Sequence, residues 1–243
     1  MKNYELISFA SAGELASTVA AAWLDEVEKA GRAGKPYGVA LSGGRITQKF
    51  FAAIVARAKT RRIGDNDAPF LPGCVHFFWA DERCVPPDDP ESNFKLAREL
   101  LLAPLGVPEN QIHRIRGEDS PSSAVKSAEA ELQRIALGAP LDLIFLGMGE
   151  DGHVASLFPN APKEVVNYPG PFLLVENSPK PPPRRVSLSY AAIVAASQVW
   201  VLISGAGKEK ALRESLDFSG KTPLARVIQL RPNTRIFSEI GPN

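Results

Sequence analysis

The chain has 243 residues, is 44% hydrophobic and carries a formal net charge of +1. That is apolar material enough for a full core, and the near-neutral balance gives no field to attract nucleic acid or an anionic membrane. The two cysteines, Cys74 and Cys84, have no metal-ligand spacing around them, which excludes a disulfide scaffold and fits a reducing cytoplasm. Glu5 and Glu14 interrupt the N-terminal segment, so no signal peptide is expected. No apolar run approaches the ~20 residues of a membrane span. One α/β domain over residues 1–243 is expected.

Tyr4 to Phe9 alternates weakly and reads as an edge strand. From Ser11 to Lys29, Leu15, Val19, Ala22, Trp23 and Val27 recur at helical spacing, and Gly31 and Gly34 close the helix. Pro36 to Leu41 is a strand running into Ser42, Gly43, Gly44 and Arg45, and a helix follows from Ile46. Strand, glycine loop and helix aim free backbone N–H groups at an anion. An ordinary turn is the competing reading, and Ser42 and Arg45 bring the two level. Arg57 to Gly73 reads as a surface loop.

Cys74 to Ala80 is an apolar strand that runs into Asp81, Glu82 and Arg83. Three charges there need partners, or else form a solvated loop with a local salt bridge. Ser92 or Asn93 caps a helix through Leu102. Gln111 to Gly117 reads as a short strand, and Ala124 to Leu137 as an amphipathic helix ended by Gly138.

Leu141 to Leu146 is a buried parallel strand by its unbroken apolar content. It ends in Gly147, Gly149 and Gly152, interleaved with Glu150 and Asp151 and followed by His153. Glycines let a backbone approach a ligand, and ligands bind at the carboxyl ends of such strands. Gly147 to Gly152 also fits the GxGxxG dinucleotide pattern, but Pro159 and Pro162 leave no room for the crossover helix that pattern needs. NAD is rejected, and no cofactor is expected. Strands at Phe172 to Glu176, Val186 to Leu188 and Gln198 to Ser204 follow, with a helix at Tyr190 to Ala196. Gly205 to Lys208 opens a helix to Leu216. Val227 to Leu230 is apolar but of undetermined type, and Arg235 to Phe237 reads as a final edge strand. The alternation predicts a doubly wound, mostly parallel sheet flanked by helices.

Of the three histidines, His76 sits in a strand as a core or edge residue, and His113 lies among arginines with no clear role. His153 alone lies on a glycine loop, and an imidazole with a pKa of about 6.5 can take and return a proton near neutrality. Ser156 has no GxSxG elbow, and the scattered Asp81, Asp88, Asp89 and Asp151 show no metal spacing. What remains is proton transfer beside an anion site made from Ser42 to Arg45, Arg83, Arg184 or Arg185, and Lys208. Such a site suits a small phosphorylated substrate.

Together these motifs resemble the 6-phosphogluconolactonase family over nearly the whole chain. Ser42-Gly43-Gly44 is similar to the family's Ser-Gly-Gly loop, Trp79 to Arg83 to its Trp-x-Asp-Glu-Arg segment, and Ser92-Asn93 to its helix start. Gly147 to Pro159 resembles its Gly-x-Gly-x-Asp-Gly-His-x-x-Ser-Leu-Phe-Pro signature, the most specific of these matches. Lys180 to Arg185 and Gly205 to Lys208 resemble two further segments. Arg45-Ile46-Thr47 departs from the usual Ser-Thr-Pro, and Val154 replaces the usual Thr.

The resemblance implies a cofactor-free hydrolase of a phosphorylated sugar lactone, with the fold of glucosamine-6-phosphate deaminases and ribose-5-phosphate isomerases. His153 would be the general base, Asp151 would orient it or the water, and glycine-loop N–H groups would hold the oxyanion. Ser42, Gly43, Gly44, Arg45, Asp81, Arg83, Arg185 and Lys208 would bind substrate and phosphate. A monomer without metal, nucleic-acid or membrane partners is expected. The alternatives are a deaminase or isomerase of the same fold, whose Ile-Ala-Phe-Asn-Glu-Pro continuation is absent here, and a non-catalytic sugar-phosphate binder.

Overall fold

The computed structural model describes residues 3–61, 73–136 and 139–241. Six parallel strands form the main sheet. Their order is β1 (Tyr4–Ser8), β9 (Thr234–Ser238), β8 (Gln198–Ile203), β5 (Leu143–Gly147), β2 (Tyr37–Leu41) and β3 (Val75–Trp79). Consecutive residues of β2, β5 and β8 are buried, so both faces of the sheet centre are covered, which explains their unbroken apolar runs.

Helix α1 (Ala12–Arg32) carries β1 to β2, and α2 (Arg45–Thr60) carries β2 to β3; the two pack on each other. Ser11 caps α1 by accepting the Glu14 N–H, and the periodic Leu15, Val19, Trp23 and Val27 are its buried face. Trp23 meets Phe77 and Phe145 edge-on, which pins α1 to the sheet. From β3 the chain reverses, and β5, β8 and β9 step back the other way. The reversal falls between the neighbours β2 and β5, which pair Val39 with Leu143 and Ala40 with Ile144. A doubly wound sheet opens a crevice at the carboxyl ends of its strands at such a point.

A second sheet is antiparallel, in the order β4 (Asp81–Arg83), β7 (Arg185–Leu188) and β6 (Phe172–Val175). Asp81 to Arg83 is therefore a strand, with Asp81 opposite Ser187 and Arg83 opposite Arg185. Helix α3 (Asn93–Ala97), capped by Ser92, runs into a π-helical turn at Arg98–Leu102. Helix α4 (Pro121–Ala136) follows, then the single turn α5 (Lys163–Val166), so no long helix follows the β5 glycines. Helices α6 (Tyr190–Ala195), α7 (Glu209–Leu216) and α8 (Pro223–Leu230) complete the fold.

Several expectations change. Gln111 to Gly117 forms no strand: a 3₁₀ turn at Glu109–Gln111 gives way to one bridge, Ile112 to Phe77, before the chain bends to seat Gly117 against the Arg83 carbonyl. β9 is not an edge strand, because β1 pairs outside it and β8 inside. Val227 to Leu230 belongs to α8, started by Thr222 as cap and Pro223 in the first turn. Gly31 lies inside α1, and Gly34, at φ +64°, follows its end. Lys208 is the N-cap of α7, one residue before its first turn. Helix α2 runs to Thr60, and most of the loop expected to Gly73, like the stop expected at Gly138, lies outside the described residues. Among the described residues no helix is long and apolar enough to cross a membrane.

Candidate active site

After Gly147 the chain folds back on itself within a few residues. The Gly149 N–H donates to the His153 carbonyl at 2.9 Å, and the Gly152 N–H to the Gly149 carbonyl at 3.0 Å. Those two amides are thereby spent inside the loop and are not open to an oxyanion. A Cβ on Gly149 would stand 2.0 Å from His153 Nδ1, so only glycine leaves the ring its place.

His153 Nδ1 lies 2.5 Å from Asp151 Oδ1, which also accepts the His153 backbone N–H at 3.2 Å. With Nδ1–H donating its hydrogen bond to the ionised carboxylate, a neutral ring keeps its lone pair on Nε2. Burial pushes the His153 pKa below its ordinary value, against the opposing pull of Asp151. Burial is the largest single influence on the Asp151 carboxyl and acts to raise it, but the hydrogen bonds and charge of His153, with the loop's backbone N–H groups, together outweigh it and hold the carboxyl below the usual range. The His153 ring leans on Phe158 at 4.7 Å.

The β2 exit meets this loop directly. The Ser42 hydroxyl donates to the Phe145 carbonyl at 2.8 Å, joining the ends of β2 and β5. Gly44, at φ +111°, is the N-cap of α2, makes no side-chain cap bond and is followed by no acidic residue in the first turn. The helix end is thus left positive, with first-turn N–H groups that no side chain caps. A Cβ on Gly43 would stand 2.0 Å from Asn93 Oδ1, so glycine there admits the asparagine.

Strand β4 supplies the third wall. Glu82 is buried and, among the described residues, has no basic side chain in hydrogen-bond contact; it accepts instead the backbone N–H groups of Arg83, Asn93 and Phe94 at 2.7–2.8 Å and the Ser92 hydroxyl at 3.0 Å. Burial pushes its pKa up against those bonds. Its carboxylate holds the start of α3, which sets Asn93 so that its amide donates to the Asp81 carbonyl at 2.9 Å. Asp81 Oδ2 accepts the Ser156 hydroxyl at 2.6 Å, so Ser156 is a buried support.

Five cations differ in how free they are. Buried Arg185 donates to the carbonyls of Lys180, Pro181 and Pro182, and its Nη1 is 4.0 Å from Asp81 Oδ2. Arg184 is exposed, which separates the two neighbouring arginines. Arg83 Nη1 donates to the Glu91 carbonyl at 2.7 Å. Arg45 is largely exposed, with Glu150 at 3.9 Å. Burial, and then the Arg45 charge, lower the Lys208 pKa.

A crevice of about 120 Å³ is lined by Ser42, Gly43, Gly44, Arg45, Asp81, Arg83, His153, Arg185 and Lys208, nine of the ten residues picked from sequence. The tenth, Asp151, holds His153 through Nδ1. Asn93 and Met148 line it too and were not picked, although the Ser92-Asn93 helix start was visible. The other two histidines lie apart from these residues: His76 Nδ1 is 2.9 Å from His113 Nε2, and His113 Nδ1 is 2.7 Å from Glu131.

The sequence pattern of the glucosamine-6-phosphate isomerases/6-phosphogluconolactonase family matches residues 10–236. A 6-phosphogluconolactonase of Mycobacterium tuberculosis is 36% identical over 201 residues, covering 73% of this chain and 81% of that protein. The crystal structure of 6-phosphogluconolactonase from Thermotoga maritima superposes with a TM-score of 0.78 at 26% identity, covering 97% of this chain and 98% of that one. A monomeric glucosamine-6-phosphate deaminase shares the fold at a TM-score of 0.76 and 16% identity, covering 98% of this chain and 97% of that one. With the β2 and β5 loops, the β4 wall and the His153 signature in one crevice, the chain belongs to the glucosamine-6-phosphate isomerase/6-phosphogluconolactonase family.

Proposed function

We propose that this crevice hydrolyses 6-phospho-D-glucono-1,5-lactone to 6-phospho-D-gluconate, the lactone step of the oxidative pentose phosphate pathway, with His153 moving the proton. The choice of substrate is supported by family membership and by relatives that bear the name 6-phosphogluconolactonase. The observation that carries the chemistry is the Asp151–His153 contact of 2.5 Å beside a crevice that also holds Arg45, Arg83 and Lys208.

Neutral His153 takes a proton at Nε2 from water as the water oxygen adds to the lactone carbonyl carbon. The tetrahedral adduct then breaks its bond to the ring oxygen, and the imidazolium returns the proton to that oxygen. Asp151 stays ionised throughout and steadies the charged ring, as a carboxylate does behind a catalytic histidine. Such acid–base help supplies about 10²–10⁴-fold. Arg45, Lys208 and the open end of α2 grip the 6-phosphate, which fixes the carbonyl against the imidazole. Arg185 orders the Lys180 to Pro182 segment through its carbonyls and keeps Asp81 in place. Water is the one co-reactant the hydrolysis consumes, and the imidazole is returned neutral at the end of the cycle. The setting we infer is a cytoplasmic monomer, in keeping with the free thiols of Cys74 and Cys84.

NMR of freshly made lactones tests this reading. The protein should speed hydrolysis of the phosphorylated lactone far above its spontaneous rate and leave the unphosphorylated one close to background. Equal rates for both lactones, or ammonia release from glucosamine 6-phosphate without lactone hydrolysis, would overturn it.

A further inference from the structure

Gly152, the residue before His153, is held from behind by the start of α8. Its carbonyl accepts the Leu224 N–H at 3.1 Å. Its φ is +77°, and a Cβ added there would stand 2.6 Å from the Thr222 Cβ, so Thr222 fills the space behind this backbone. Thr222 is buried, and among the described residues its hydroxyl lies within hydrogen-bond distance of the Ser215 hydroxyl and the Ala225 N–H. The Ser215 hydroxyl donates to the Ala211 carbonyl at 2.6 Å, so it can only accept from Thr222, 2.6 Å away. Thr222 Oγ1, having donated, accepts the Ala225 N–H at 3.0 Å. The chain of bonds has one direction and ties α7, which begins beside Lys208, to α8 and so to the loop of His153. Ser215 Oγ also lies 4.0 Å from the sulfur of Met148, a lining residue of the crevice.

We propose that Thr222 is a positioning residue: braced by Ser215, it fixes the Gly152 backbone and thereby the reach of the His153 ring. The proposal rests on the reading of His153 as the proton carrier. Among the described residues the Thr222 hydroxyl bonds Ser215 and Ala225 and no phosphate cation, so its loss acts on the chemical step.

Thr222→Val keeps the branched shape and removes the hydroxyl; Thr222→Ser restores the hydroxyl; Ser215→Ala removes the bracing acceptor and is the milder change should the valine variant fold poorly. The expected result is a kcat lowered about 10–100-fold in Thr222→Val with KM little changed, since small misplacements of a reacting group cost that much. Thr222→Ser should recover most of the rate, and Ser215→Ala should move kcat the same way. Amide hydrogen exchange at Leu224, read without substrate, should quicken in Thr222→Val. An unchanged kcat in both Thr222→Val and Ser215→Ala, or a loss confined to KM, overturns the proposal. Should His153→Ala keep the wild-type rate, the proton-carrier reading fails by itself, and unaltered exchange at Leu224 then rejects the brace on separate grounds.

Discussion

His153 Nδ1 sits 2.5 Å from Asp151 Oδ1, two residues before it in one tight loop, and that contact determines which ring nitrogen keeps a lone pair. Asp151→Asn keeps the shape but can offer Nδ1 an N–H in place of an acceptor, which favours the wrong tautomer. The expected loss in kcat is about 10²–10⁴-fold, with KM little changed because the phosphate cations are untouched. Steady-state kinetics on fresh lactone, corrected for spontaneous hydrolysis, measures it.

The pH profile follows from the direction of two shifts. His153 must be neutral to act as base, and burial lowers its pKa, so kcat/KM should fall on the acid side with a midpoint below the ordinary histidine value of about 6.5. Lys208 must be charged to grip phosphate, and its pKa is also lowered, chiefly by burial. KM should therefore rise at a pH below the ordinary lysine value of about 10.4. Stopped assays from acid to alkaline pH check both limbs, and Lys208→Arg should push the alkaline one higher.

Gly149→Ala tests the loop by steric means. The new Cβ would stand 2.0 Å from His153 Nδ1, where no ring can stay. A fall in kcat of about 10²-fold is expected, on the scale of a reacting group displaced by about 1 Å. Circular dichroism should show the fold retained, because the clash is with a side chain.

Glu82→Ala should act on stability first. It strips the acceptor from the Asn93 and Phe94 N–H groups and the Ser92 hydroxyl at the start of α3, and from the Arg83 N–H in β4. Buried donors left unpaired cost about 1–3 kcal/mol each where water does not reach them, and a net loss of about 3 kcal/mol is expected. For a chain of this size that lowers Tm by about 6–12 °C, read by thermal melts.

Much of the architecture was legible because its causes are local. Leu15, Val19, Trp23 and Val27 sit on one buried helical face, and an unbroken apolar run such as Leu143 to Leu146 belongs to a strand covered on both sides. The His153 loop was legible because glycines there answer to close approach. What escaped depends on partners far along the chain. Asp81 to Arg83 has poor strand composition and is a strand because β7 pairs with it about a hundred residues later and Glu82 reaches the start of α3. The inner place of β9 is set by β1 and β8, which its own five residues do not announce. Arg185 reads in sequence as a phosphate arm, yet most of its guanidinium is spent on three carbonyls. The start of α8 is marked in the sequence by Thr222-Pro223, a cap followed by proline, and not by the apolar residues after it.

The most direct test of the central claim is the hydrolysis rate of fresh 6-phospho-D-glucono-1,5-lactone by His153→Ala beside wild type, both corrected for the spontaneous reaction. The expected result is a loss of about 10²-fold or more in kcat with KM for the phosphorylated lactone little changed. A His153→Ala enzyme that keeps the wild-type rate above background would contradict it.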